Sequence, residues 1–482
     1  MPESRRDDAV TARSWPAALA FLTATLLLAG AALHNGYPLV HWDTGTYVSS
    51  SFNFEVPLRR PIAYGLFLAT THLGLSLWLV VLVQAAVVAG LIRAVLPAGP
   101  RRDVAHVAIT AGLAVFTSLS WFTSQIMPDV FAGTCALALF VAMRRPPRTS
   151  AMKLALGAAI VLSSAVHHSH LPLAVALVVV AQIVKLVVPK LRIALLPAWI
   201  AVAGAALLIP SVNYWLAGEF FYTKTAHAFV LGRMVGNGLM DKLLAEHCES
   251  GDYALCPYRE ELRPKGGSFL WDQRSSFHRT GGWKAPADPA WHMIVDSIFG
   301  DPSAHAVALS TNTLRQLAKF DAGGLPPYGP NEFVSRIVRA RFPDEAASYT
   351  DSRQQRGTLA LVAFGPLHFW AAWTSAALSL ALMFAAARGA RPPALDLHVF
   401  AWTTLALNAA IMSNLSAVTG RYQGRIVWLL ALATLVTLAD WWIAQPVATA
   451  DEVGEEALQP PLAGSSAIQR SMRCLNSATS AG

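Results

Sequence analysis

A few ionisable residues stand out in a chain that has few of them. Asp43 lies in HWDTGTY, Asp129 in QIMPDVF, His167, His168 and His170 in VHHSHLP, Arg59 and Arg60 in LRRP, and Arg421 and Arg425 in GRYQGR. Carboxylate, imidazole and guanidinium together suit proton transfer on an anionic substrate. A carboxylate takes a proton from a reacting hydroxyl, and the planar arginine fork matches a phosphate. Tyr47, Tyr64 and Tyr422, with Trp42, sit near these groups in sequence and supply either sugar-stacking faces or an interfacial aromatic belt. Plainer readings stand beside these. Asp43 could form an Asx turn or cap a helix. Asp129, after Pro128, fits a first helical turn, where the helix dipole favours a carboxylate. The arginines could snorkel to lipid headgroups. The HHSH run has the residue types of a metal site, but adjacent histidines point to different faces of a helix, and Leu171-Pro172 marks a helix end capped by His or Ser. A contact from His168 or His170 to phosphate or sugar is the stronger reading. No metal or other cofactor is assigned, and a divalent metal is left open.

The elements that must carry these residues are transmembrane. Of 482 residues, 54% are hydrophobic and only 14% charged, with mean hydropathy +0.43. A soluble domain carries about 25% charged residues, so the solvent here is largely lipid. Apolar stretches near 15–34, 74–96, 104–122, 130–143, 152–167, 171–189, 193–213, 361–387, 395–415 and 425–444 predict an all-α bundle of about ten spans. With the N-terminus inside, 17 Lys and Arg fall in cytoplasmic segments against four, Arg59, Arg60, Arg421 and Arg425, in short outer loops. That asymmetry predicts a multi-pass inner-membrane protein with both termini cytoplasmic.

The division that follows is a cytoplasmic N-terminus, 1–14; a membrane module, 15–213, with a first outer loop at 35–73; a mainly helical extracytoplasmic subdomain, 214–360; C-terminal membrane helices, 361–444; and a disordered cytoplasmic tail, 445–482. Asp43, Asp129, the histidines, Tyr422 and the four arginines then all lie at the outer surface. Cys248 and Cys256 bracket ESGDYAL in the outer subdomain. There the spacing permits a small disulfide loop, two unpaired thiols being the alternative. GxxxxGK[ST], HExxH and a GxSxG in strand-to-helix context are missing, which argues against nucleotide hydrolysis and zinc proteolysis. The net charge of +8 sits between spans and does not suggest nucleic acid.

This layout resembles the GT-C superfamily of integral membrane glycosyltransferases. The resemblance rests on an acidic residue in a long first outer loop (Asp43 in HWDTGTY), an amphipathic segment after it, and a second large outer loop after the seventh span, and it covers most of residues 15–360. It implies a polyprenyl-phosphate-linked sugar as donor and a glycan, lipid or protein acceptor, with inverting transfer at the outer face of the membrane. On that footing Asp43 is the catalytic base and Asp129 assists it. His168 and His170 contact donor or acceptor, Arg60, Arg421 and Arg425 hold the phosphate, and Tyr47, Tyr64 and Tyr422 complete the substrate site. The rival reading is a transporter or flippase for a lipid-linked or small anionic substrate. Against it, the polar residues concentrate at one surface, whereas carriers bind near the midplane.

Overall fold

The structure is a computed structural model that describes residues 3–147, 149–249, 253–262 and 266–444. The expected disordered tail, 445–482, lies outside the described residues. Every regular element among those described is a helix, and an isolated parallel bridge joins Leu39 to Gln125.

Among the described residues six helices are long and apolar enough to cross a membrane: Leu77–Val95, His170–Val187, Leu195–Ala217, Leu361–Ala387, Leu395–Leu415 and Gly420–Asp440. Trp15–Leu28, Val130–Arg144 and Ser150–Ala165 are apolar but shorter. The remaining expected span, 104–122, breaks. The helix Arg102–Phe116 ends where Thr117 turns extended and its Oγ1 bonds back to the Leu113 carbonyl, and a separate turn, Leu119–Thr123, follows. About ten expected spans thus become six that meet the length requirement.

Val130–Arg144 is enclosed within the bundle. All its residues from Val130 to Met143 are buried, so it faces other helices rather than lipid, as expected of a helix hydrophobic all round. Its neighbours include Leu77–Val95, Ser150–Ala165, His170–Val187, Leu195–Ala217 and the last helix, Gly420–Ala444. Gly133 allows a close approach of the last helix, because a Cβ there would come within 2.7 Å of the Trp428 ring.

The loops that matter gather at one end of this bundle. Leu39 N–H donates to Ser124 O and Ile126 N–H to Leu39 O, both at 2.9 Å, and Thr44 Oγ1 donates to Ile126 O at 3.0 Å. Gln84 holds the other side, its Nε2 donating to Thr123 O and Gln125 O at 3.0 Å. These bonds pin the segment around residue 43 against the one leading into residue 129. Two short helices follow residue 43, Thr44–Asn53 and Ile62–His72.

The long segment between Ala217 and Leu361 covers the same end. One part, Ala228 to Ile294, has its own apolar cluster and a Cys248–Cys256 disulfide with Cα atoms 5.3 Å apart. The end of the segment closes over the site loop. Gln354 pairs with Val40 as a neighbouring strand would, its Oε1 accepting Val40 N–H at 3.1 Å and its Nε2 donating to Val40 O at 2.8 Å. Glu345 accepts from Tyr37 Oη at 2.7 Å and Ser76 Oγ at 2.5 Å, and lies at the N-terminus of Leu77–Val95, where the dipole favours a carboxylate.

Candidate functional site

Both aspartates occupy N-cap positions, Asp43 before Thr44–Asn53 and Asp129 before Val130–Arg144, but neither side chain caps its helix. The plain capping role therefore gives way to ion pairing. Asp43 Oδ2 accepts from Arg60 Nη2 at 2.7 Å. Asp129 takes Arg421 in a two-point grip, with Nε 3.1 Å from Oδ1 and Nη2 bonded to Oδ2, and Arg425 Nη1 lies 3.6 Å from Oδ1.

GRYQGR explains how one helix turn supplies both arginines. Residues four apart share a face, so Arg421 and Arg425 meet Asp129 together. Gly420 and Gly424 make the adjoining face, and the Asp321 loop lies directly on it: Asp321 N–H donates to Gly420 O at 3.1 Å, and a Cβ on Gly424 would collide with the Asp321 carbonyl. Asp321 Oδ1 is occupied by Gly323 N–H at 2.8 Å. Arg425, fully buried, also donates to Ser169 Oγ at 3.1 Å and Asn408 Oδ1 at 3.2 Å, and its guanidinium lies 5.5 Å from the Tyr422 ring centre.

His41, two residues before Asp43, joins the two ion pairs. Its Nε2 accepts from Arg421 Nη1 at 2.6 Å, and the fields of Arg421, Asp43, Asp129 and Arg60 all reach it. Burial, then the Arg421 charge, lowers this imidazole to about 4. His168 is lowered to about 4 by burial and by Arg60. Both rings are neutral near pH 7. Burial alone would raise the two carboxyls, yet Arg60, with His41 and Arg421, holds Asp43 below its ordinary value. Arg421 and Arg425 hold Asp129 down at about 2.

Access separates the aspartates. The Asp43 side chain keeps 28% of its surface exposed and Asp129 only 4%. Asp43 is open to an incoming group, while Asp129 is sealed between arginines.

The other expected residues fall into place around this centre. Tyr47 is fully buried, in the field of Arg60, Asp43, Asp129 and Arg421, and its hydroxyl has no partner. Tyr64 gives its hydroxyl to Gln84 Oε1 at 2.9 Å and packs edge-on to Tyr47, ring centres 4.8 Å apart, so in this arrangement it supports Tyr47. Tyr422 Oη pairs with Ser416 Oγ at 3.0 Å. His170 begins its helix with Nδ1 2.8 Å from the Ser163 carbonyl and Nε2 without a partner. His168 Nε2 is likewise buried and unpartnered. Among the described residues no three His, Cys, Asp or Glu are grouped so as to hold a metal ion.

Two apolar hollows flank the cluster. One of about 300 Å³ begins at Pro61, next to Arg60, and runs between Ile62–His72, Ser150–Ala165 and Leu195–Ala217. A larger one, of about 940 Å³, lies beyond the Asp321 loop, against Leu361–Ala372 and Val427–Ala431. Arg59 turns away from Arg60, its guanidinium 5.3 Å and 5.1 Å from the ring centres of Trp271 and Trp283.

His41, Asn408 and the two glycines were not singled out in the sequence, and Ser169, expected as a candidate cap, stands at the N-cap position without a side-chain cap bond and accepts from Arg425 instead. The glycines did leave a signal, a four-residue spacing in step with the arginines. Asn408, inside an apolar helix, left another, since a lone amide at that depth needs a partner. Comparison with family models, curated proteins and solved structures finds no match to the chain.

Proposed function

We propose that this protein is a GT-C-like membrane glycosyltransferase that moves a sugar from a polyprenyl-phosphate donor to an acceptor at the outer face of the inner membrane. In this reading the bundle crosses about ten times, the shorter helices completing their crossings as part of a packed core, and both termini are cytoplasmic. The 17-to-4 distribution of Lys and Arg supports that orientation.

The charge balance of the cluster carries the reading. Arg60, Arg421 and Arg425 share two carboxylates, Asp43 and Asp129, and the neighbouring imidazoles are neutral. One positive charge is left over in a largely buried site. An uncompensated buried charge costs several kcal/mol, and a phosphodiester monoanion would cancel it. The hollow starting at Pro61 offers an adjacent apolar slot for a prenyl chain.

In the proposed step the acceptor hydroxyl loses its proton to Asp43 as its oxygen attacks the sugar's anomeric carbon. The carbon–oxygen bond to phosphate breaks, and its electron pair leaves with the phosphate, stabilised by the arginines. Asp43 has the access this requires, whereas Asp129 holds Arg421 and Arg425 in place. The test is Asp43→Asn in folded, inserted protein, which should abolish transfer from a lipid-linked sugar while leaving donor binding intact. Full transfer by that variant removes Asp43 from the reaction. Transport of the donor without sugar transfer by the wild type would instead make the protein a flippase.

A further inference from the structure

Hydrogen-bond arithmetic around His41 reaches beyond the ion pairs. A guanidinium can only donate. The Arg421 Nη1 contact at 2.6 Å therefore requires His41 Nε2 to be the unprotonated nitrogen, and the neutral ring must carry its hydrogen on Nδ1. That Nδ1 is buried and has no partner among the described residues. Tyr47, one helical turn after Asp43, presents the same situation: its N–H bonds Asp43 O at 3.2 Å, and its hydroxyl is buried without a partner among the described residues. The same four charged groups, Arg421, Asp43, Asp129 and Arg60, act on both side chains, and the contacts of the His41 ring with Arg421 and of the Tyr47 backbone with Asp43 tie both to this loop, so the two unspent donors lie within reach of the two ion pairs. Buried donors without acceptors are costly and uncommon. Here two occur together, beside an excess positive charge.

Resting on the lipid-phosphate reading above, we propose that His41 Nδ1–H and Tyr47 Oη–H are neutral hydrogen-bond donors to the non-bridging oxygens of the bound phosphodiester. They hold the anion in register with Asp43, and the arginines supply the charge. Arg421 has a second role here, fixing the tautomer that makes His41 a donor on its free side. His41 thereby becomes a substrate-binding residue that charge and motif alone do not reveal.

Binding of farnesyl methyl phosphate, a prenyl phosphodiester monoanion, to the full chain in nanodiscs tests this by calorimetry. Asn in place of His41 keeps a donor near the Nδ1 position, whereas Gln keeps an acceptor near Nε2 and loses that donor. His41→Gln should weaken binding about tenfold or more, His41→Asn should stay within about threefold of wild type, and Tyr47→Phe should also lose about tenfold. Thermal unfolding confirms that each variant is folded. Equal binding by the two His41 variants, or the reverse order, would overturn the role of Nδ1, and undiminished binding by Tyr47→Phe would overturn that of the hydroxyl. Wild-type protein that does not bind the probe sinks the lipid-phosphate reading and this assignment with it. Wild-type binding with indifferent variants sinks this assignment alone.

Discussion

Arg59 and Arg60 are adjacent in sequence and bound to different bodies. Arg60 meets Asp43 at 2.7 Å, while the Arg59 guanidinium lies against Trp271 and Trp283, rings of the segment that carries the disulfide. One peptide unit thus links the covering segment to the aspartate of the site, and loosening either side should be felt at the other.

Replacing Arg59 with Ala should weaken this attachment by about 1 kcal/mol, the scale of a partly exposed cation–π contact. Faster amide exchange across Ala287–Gly300 and a raised KM with little change in kcat would be the observed signs. Exchange unchanged from wild type would show that the two rings do not hold the segment.

The Asp129 carboxylate is the keystone of the arginine pair. Asp129→Ala leaves two buried guanidiniums short of a counter-charge and should destabilise by about 3–5 kcal/mol. The double variant Asp129→Leu with Arg421→Met, which still leaves Arg425 without its counter-charge, should recover only part of that loss in thermal unfolding and should lose ligand binding. A fully stable Asp129→Ala protein would contradict the pairing.

Gly424→Ala places a methyl group where the Asp321 carbonyl lies. Overpacking of this kind costs about 1–3 kcal/mol, and the displaced loop should be cut faster by protease near Gly323. Gly365→Ala, where an added Cβ meets nothing within 4 Å, serves as the silent control.

The pH dependence follows from the histidines. His41 and His168 are lowered to about 4 in the folded chain, by burial first and then by Arg421 and Arg60 respectively, against about 6.5 unfolded. The unfolded chain binds protons that the folded one refuses, so stability should be level above about 6.5 and fall from there towards about 4, by at most about 1.4 kcal/mol per histidine per pH unit. Below that, Asp129, lowered to about 2, loses its share as pH drops from about 3.8 to about 2. Melting curves across pH 3–8 check this, and His41→Gln should flatten the upper slope.

How much of this was legible in sequence depended on the kind of force involved. Apolar run length located the helices, because lipid burial is a property of composition. It did not register the break within 104–122, where the Thr117 hydroxyl and a following turn interrupt the run, nor that Val130–Arg144 is enclosed by other helices. Asp43, Asp129, Arg421 and Arg425 were legible because charge is rare at that depth. Their pairing was not, since nothing local couples residue 129 to residue 421. His41 escaped notice because its importance comes from Arg421, some 380 positions along the chain.

The clasp between Val40 and Gln354, followed by the arrival of the last helix, fixes when the candidate site can form. The two residues stand 314 positions apart, and Tyr37 waits on Glu345 in the same way. Helices from the first half of the chain can enter the membrane as they are made, but the loop bearing Asp43 stays open until nearly three quarters of the polypeptide has emerged. The cluster is therefore assembled late, and a chain cut short before residue 345 would lack both this clasp and Arg421 and Arg425, the partners of Asp129.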